Sequence, residues 1–343
     1  MQECESYPLL GSHEMTSMGV KHTITKNFIM RFGVPRVKKM VAKQSSLQEL
    51  PEILMPTPNS PTRFEIPLEM MKLMQVRDDI QMRHTFPVRR LLSVMKNIHL
   101  SVDSLSENPE FPTSTTTSEF LTELREYAHS LGIYPLDFVK LPHDLIFGKF
   151  GVLFDNAIVL AMEMSKEKID KAPSQETLNM VFGTYDELGI AANKTAQFLR
   201  DHGYAAQADH PLGGLVLFPP LAQKAGIGYV GKHGLLITPQ FGPRVRLAAV
   251  YTNIENLPYN ETNDHGWIED YCKKCGICIK ECPAQAILEE SVHHDTGRVT
   301  NIKQQECFEY FGQFYGCSVC IKVCPFSKSV HAYERLKALV NKA

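Results

Sequence analysis

Eight of the nine cysteines fall between Cys272 and Cys324, while Cys4 stands alone near the start. The first run, Cys272-Lys-Lys-Cys275-Gly-Ile-Cys278-Ile-Lys-Glu-Cys282-Pro283, is an unbroken C-x2-C-x2-C-x3-C-P. The second, Cys317-Ser-Val-Cys320-Ile-Lys-Val-Cys324-Pro325, lacks one member, and Cys307 lies ten residues upstream to replace it. A cubane [4Fe–4S] cluster needs four thiolates at tetrahedral corners, three of which one tight loop can supply. In two-cluster arrangements the Cys before Pro crosses to the other cluster. The expected sets are therefore Cys272, Cys275, Cys278 and Cys324 for one cluster, and Cys307, Cys317, Cys320 and Cys282 for the second. C-x2-C pairs also build zinc knuckles. Three cysteines per run with a repeated Cys-Pro ending favour iron and sulfur. By itself this says only that electrons move through the segment.

The other bulk properties exclude more than they assign. A length of 343 residues with 43% hydrophobic content is enough for a large core, and disorder is excluded. Lys plus Arg is 36 against Asp plus Glu 38, so no overall field would hold the chain on nucleic acid or a charged bilayer. Clustered thiols in a chain of this size point to a reducing compartment. Residues 1–18 carry Glu3, Glu5 and Glu14 and no apolar core, unlike a secretory signal. Arg89-Arg90 lies too deep in the chain to act as a twin-arginine signal. The apolar runs are far shorter than the roughly 20 residues of a membrane helix. The expected location is cytoplasmic, with no membrane span.

Along the chain, Lys21, Lys26, Arg31, Arg36, Lys38, Lys39 and Lys43 form a basic block without an acidic residue, read first as a solvated face. Glu65–Arg83 has a helical stripe of Leu68, Met71, Leu73, Met74 and Ile80. Between Ser101 and Ser118 nine of eighteen residues are Ser or Thr, and a linker or boundary is placed there. Glu119–Ser130 reads as a helix with Ser118 as N-cap, and Ser174 caps a second helix running to about His202. Ala157–Met162 reads as a strand covered on both faces. The expected division is an N-terminal helical region with linker over 1–117, a mixed domain over 118–262 and a two-cluster domain over 263–343.

Upstream of the cysteines, Gly226, Gly228 and Gly231 satisfy G-x-G-x-x-G, and Gly226 to Lys232 nearly satisfies a phosphate loop, with His233 where Ser or Thr is required. Both nucleotide motifs need strand, loop, then helix. Here a helix at Leu221–Ala225 precedes the loop and a strand at Leu235–Thr238 follows it. The glycines are therefore expected to let the backbone approach some other bulky ligand.

The stretch Gly226-Ile-Gly-Tyr-Val-Gly-Lys232, then Leu236-Ile-Thr-Pro-Gln-Phe-Gly-Pro-Arg-Val-Arg246, then two cluster motifs, resembles the corrinoid-dependent reductases. These include the reductive dehalogenases and epoxyqueuosine reductase. The resemblance covers roughly Glu119 to Ser327. It implies an α+β chain in which a nitroreductase-like α/β domain holds cobalamin, followed by a bacterial ferredoxin-like domain with two [4Fe–4S] clusters. It implies that electrons pass through the clusters to the corrinoid, while the protein supplies placement and protons. By its motif Lys232 matches a basic catalytic residue, Tyr185 is the candidate tyrosine proton donor, and Asp209 lies near the aspartate that serves epoxyqueuosine reductases. Gly226, Gly228, Gly231, Lys232 and His233 are the candidate corrinoid-binding residues.

Three functions follow. The first is a cytoplasmic dehalogenase-like reductase of a small organic substrate, fed by ferredoxin, flavodoxin or a reductase. The second is epoxyqueuosine reductase acting on tRNA; the basic block favours it, whereas near-zero charge and the short stretch after Cys324, without room for a helical-repeat extension, count against it. The third is an electron carrier without its own catalysis.

Overall fold

The computed structural model describes residues 34–63, 87–295, 298–329 and 331–340. Cys4, the stripe over Glu65–Arg83 and the first three basic residues of the block lie outside them. The described helices are α1 (Val34–Ser45), α2 (Val88–Asp103), α3 (Ser118–Ser130), α4 (Lys166–Asp170), α5 (Gln175–Asp201), α6 (Phe218–Lys224), α7 (Trp267–Cys275), α8 (Ile277–Lys280), α9 (Gln304–Gln313), α10 (Val319–Val323) and α11 (Ala332–Val340). The strands are β1 (Leu136–Lys140), β2 (Asn156–Glu163), β3 (Ala206–Asp209), β4 (Tyr229–Val230), β5 (Leu236–Ile237), β6 (Val245–Thr252), β7 (Ile287–His293) and β8 (Val299–Ile302).

Period-two alternation sorts the centre of the molecule. On β2, Ala157, Val159 and Ala161 join one core with Leu215, Leu221 and Ala222, while Ile158, Leu160 and Met162 join a second with Leu124 of α3 and Leu188, Ala192 and Leu199 of α5. Both faces of the strand are covered, as its unbroken apolar run requires. The sheet order is β1-β2-β6-β3 and every pairing is antiparallel, with Leu160 opposite Ala248 and Asp209 opposite Ala249. Helices packed on an antiparallel sheet make the chain α+β.

Helix α5 runs as its Ser174 cap predicts, with Ser174 Oγ accepting from the Thr177 amide at 3.1 Å and Gly203 in a left-handed turn beyond it. Helix α3 is capped one residue earlier than expected. Thr117, extended at φ −109°, accepts from Phe120 N, and Ser118 is the first helical residue.

The Ser/Thr-rich stretch expected as a linker is a strap tied to the sheet domain. Asn108 Oδ1 accepts from Ala206 N, Thr113 N donates to Gly203 O, and Thr116 exchanges two bonds with the Asn256 side chain. Short polar side chains and neighbouring amides satisfy a backbone that belongs to no strand.

Residues 267–340 form the second unit. Phe326 O sits where a Cβ on Gly242 would come within 2.3 Å, and Lys322 Nζ donates to Ala172 O at 2.7 Å, so this unit is packed directly onto the first. Among the described residues no helix is long and apolar enough to cross a membrane.

Candidate functional site

The two cysteine runs fold the same way locally. Gly276 (φ +58°) and Ser318 (φ +69°) are left-handed residues placed directly after Cys275 and Cys317. Each turns the chain into a short helix that carries the next thiol, Cys278 on α8 and Cys320 on α10. Glycine meets this geometry without strain. Ser318 holds its position with Oγ donating to Gly316 O. Cys307, the expected replacement for the missing member of the second run, lies on α9.

Cys272, Cys275, Cys278 and Cys324 line one cavity, together with Lys232 and His233. Electrostatics group the thiols likewise. Burial pushes Cys324 up, and its thiol neighbours are Cys272, Cys278 and Cys275. Burial pushes Cys307 up to about 11, with Cys317 and Cys282 as its neighbours. Cys320 is also raised by burial, and it feels Cys317, Cys307, Cys282 and, across the gap, Cys278.

Buried thiols raised in this way hold their protons until a cation replaces them, which bound iron does outright. No three His, Cys, Asp or Glu side chains among the described residues converge tightly enough for a single ion. The eight thiols fall into two sets of neighbours, as two clusters require.

The glycine segment is a tight hairpin of β4 and β5, with Tyr229 opposite Ile237. It is therefore not a strand–loop–helix phosphate site. A Cβ on Gly228 would meet Ile237 O at 2.2 Å, and one on Gly226 would meet Asn260 Nδ2 at 2.9 Å. One on Gly231 would meet Ile237 Cδ1 at 2.6 Å and His233 Cε1 at 3.0 Å. On the side a Cβ would occupy, these three glycines are packed against the protein's own atoms.

Lys232 and His233 lie on the cluster side of this hairpin. Lys232 Nζ donates to Ser291 Oγ of β7 at 2.9 Å. Its backbone amide favours the anion of Cys272, against the burial that raises that thiol. His233 is 2% exposed, and burial pushes its imidazole down to about 4.

Tyr185 is placed elsewhere, on α5, with the Arg246 guanidinium carbon 3.8 Å from its ring centroid. Tyr185 packs against the buried patch of Met164, Ile169, Met180, Val181 and Ile321, against which Leu235 and Cys320 also pack. Arg246 Nη2 also reaches Met164 Sδ, and its Nε is buried without a partner. The structure thus pairs Tyr185 with Arg246 and gives Lys232 a different partner. Sequence reasoning missed Arg246, although Pro243-Arg-Val-Arg246 placed two arginines two residues apart on one face of a strand. The other, Arg244, is buried against Glu163 and Met164 O.

Asp209 is 1% exposed at the end of β3. Tyr251 Oη donates to its Oδ2 at 2.7 Å, and Leu215 N reaches both oxygens at 2.9 and 3.1 Å. Burial raises its carboxyl to about 7. These contacts make it the pin of the loop over 210–217. A separate cleft of about 730 Å³ opens between the start of α2, the end of β2 and α5, with Arg89, Arg90, Glu163 and Lys168 in its walls. Tyr185, Asp209 and Lys232 do not line it.

Residues 271–328 match the family described as a 4Fe-4S dicluster domain, so this segment carries two [4Fe–4S] clusters. A tetrachloroethene reductive dehalogenase of Sulfurospirillum multivorans is 33% identical over 184 residues, covering 51% of this chain and 36% of that protein. An epoxyqueuosine reductase of Lactococcus garvieae is 28% identical over 149 residues, covering 39% of this chain and 37% of that protein. A solved reductive dehalogenase, whose structure is described as suggesting a mechanism for B12-dependent dehalogenation, superposes with a TM-score of 0.60 at 18% identity over 72% of this chain and 39% of its own. The chain has reductive dehalogenases and epoxyqueuosine reductases as homologues and shares the dehalogenase fold. It spans about a third of the length of the curated relatives it matches.

Proposed function

We propose that the protein is a cobalamin- and [4Fe–4S]-dependent reductase of the dehalogenase type, acting on a small organic substrate. The observation that carries this reading is the Tyr185–Arg246 pair, with Tyr185 on the same buried patch against which Cys320 packs. It sets a phenolic proton donor and a cation at the core patch that the electron-carrying unit shares with the sheet domain. Reducing carbon with loss of an anion creates negative charge that needs both a proton and a counter-charge. Tyr185 Oη would give the proton and Arg246 would hold the anion, in place of Lys232.

In this assignment Cys272, Cys275, Cys278 and Cys324 hold one cluster, and Cys307, Cys317, Cys320 and Cys282 the other. A bound corrinoid would supply the low-potential metal that turns cluster electrons into reduction of the substrate. Arg246 Nε and Asp186 Oδ1, both buried without a protein partner, fit the amide-bearing rim of such a ring. Clustered free thiols suit a reducing compartment, and we place the protein in the cytoplasm with a ferredoxin, flavodoxin or a reductase as donor.

Epoxyqueuosine reduction on tRNA is the second reading, supported by the similarity to that enzyme. The locked Asp209, whose oxygens are taken by Tyr251 and Leu215, favours the dehalogenase type. Anaerobic preparation with cobalamin tests the proposal. About eight irons per chain, a bound-corrinoid spectrum and reductive release of halide from halogenated aromatics or alkenes are expected. Failure to bind corrinoid would sink it, and loss of mature queuosine in a deletion strain would move the assignment to the second reading.

A further inference from the structure

The hairpin between β4 and β5 ends in Lys232 and His233, and both line the cavity shared by Cys272, Cys275, Cys278 and Cys324. The Lys232 backbone amide favours the anion of Cys272. For His233 the tautomer follows from its neighbours. The Leu235 backbone amide, which can only donate, lies 3.2 Å from His233 Nδ1, so Nδ1 is the acceptor. A ring that accepts at Nδ1 is not the imidazolium, which carries a proton on both nitrogens. A neutral imidazole carries one N–H, which must then sit on Nε2. That Nε2 is buried and has no protein partner. His233 lines the cavity shared by Cys272, Cys275, Cys278 and Cys324.

A buried donor without an acceptor is destabilising, because it has lost its water and gained nothing in return. The anionic sulfurs of a cluster in this cavity would satisfy it. We propose that His233 donates a hydrogen bond from Nε2–H to the cluster held by Cys272, Cys275, Cys278 and Cys324, and that this bond raises the reduction potential of that cluster alone. The physical reason is that reduction adds an electron to the iron–sulfur unit, so a donor to sulfur stabilises the reduced form more than the oxidised one. Gly231 belongs to the same device. A Cβ there would come within 3.0 Å of His233 Cε1, so the glycine leaves room for the ring. The proposal rests on the ligand sets assigned above, and iron content tests those separately.

The experiment compares anaerobically reconstituted wild type, His233→Leu and His233→Gln by redox titration followed with electron paramagnetic resonance. About eight irons in each protein would show that the ligand assignment stands. His233→Leu should then shift the reduction equilibrium of one cluster about tenfold toward the oxidised form, about 59 mV for one electron. The other cluster should not move, and His233→Gln, which keeps an N–H near the same place, should recover most of the shift. Unchanged potentials in the leucine variant, or equal shifts in both clusters, would overturn the proposal. If the leucine variant fails to hold iron, reduced wild type labelled with 15N-histidine decides. Weak hyperfine coupling to one histidine nitrogen supports the hydrogen bond, whereas no coupling, or the strong coupling of a coordinated nitrogen, overturns it.

Discussion

The Arg246 guanidinium lies over the Tyr185 ring, 3.8 Å from its centroid, and joins strand β6 to helix α5. The strand and the helix come from segments about sixty residues apart, and neither residue has meaning for chemistry without the other. A guanidinium over an aromatic face is attracted by the ring quadrupole, by about 0.5–2 kcal/mol. The contact therefore orients both groups before any substrate arrives.

If Tyr185 is the proton donor, Tyr185→Phe should lower turnover by about 10²–10⁴-fold while iron and corrinoid content stay unchanged. Arg246→Leu should lose a similar amount, and Lys232→Ala should lose less, since Lys232 is held by Ser291. Steady-state kinetics on the three variants with metal analysis checks this. A larger loss for Lys232→Ala than for Arg246→Leu would return the cationic role to Lys232.

Cys307 stands outside the second C-x-x-C run, yet shares its surroundings with Cys317 and Cys282. Cys307→Ala should cost one cluster and leave the other, so iron should fall from about eight to about four per chain. Retention of both clusters would remove Cys307 from the ligand set.

Two glycines should respond in opposite directions to alanine. At Gly228 the new methyl would meet Ile237 O at 2.2 Å, so Gly228→Ala should destabilise by about 1–3 kcal/mol through backbone shifts. At Gly183, inside α5, the nearest atom would be Glu187 Oε1 at 3.7 Å, so Gly183→Ala should stabilise by about 0.5–1 kcal/mol. Thermal unfolding of the holoprotein reads both signs.

Asp209 has its carboxyl raised from 3.8 to about 7 by burial. A raised folded-state value in an acid means that the folded protein takes the proton more readily than the unfolded chain. The penalty is therefore absent below about pH 4, grows as pH rises, and is complete above about pH 7. Asp209→Asn should remove this slope, so the variant should gain stability relative to wild type between pH 5.5 and 7.5. Melting temperatures across that range measure it, and parallel curves would show that Asp209 titrates normally.

Much of this protein was legible in order along the chain. Ligand spacing is a local property, so Cys272 to Cys282 and Cys317 to Cys324 announced two clusters without any tertiary knowledge. The same holds for α5, which begins at its Ser174 cap and closes before Gly203, and for β2, whose apolar run implied two covered faces.

What the sequence could not decide was which distant groups meet. The hairpin register set Ile237 against Gly228, a close approach that only glycine allows. Tyr185 of α5 and Cys320 of α10 came to pack on one core patch, and β6 delivered Arg246 to that ring in place of Lys232. Asp209 became a loop pin only once Tyr251 faced it across β3 and β6. Motif spacing records the reach of a short segment, whereas burial and partner choice are set by contacts between segments far apart in the chain.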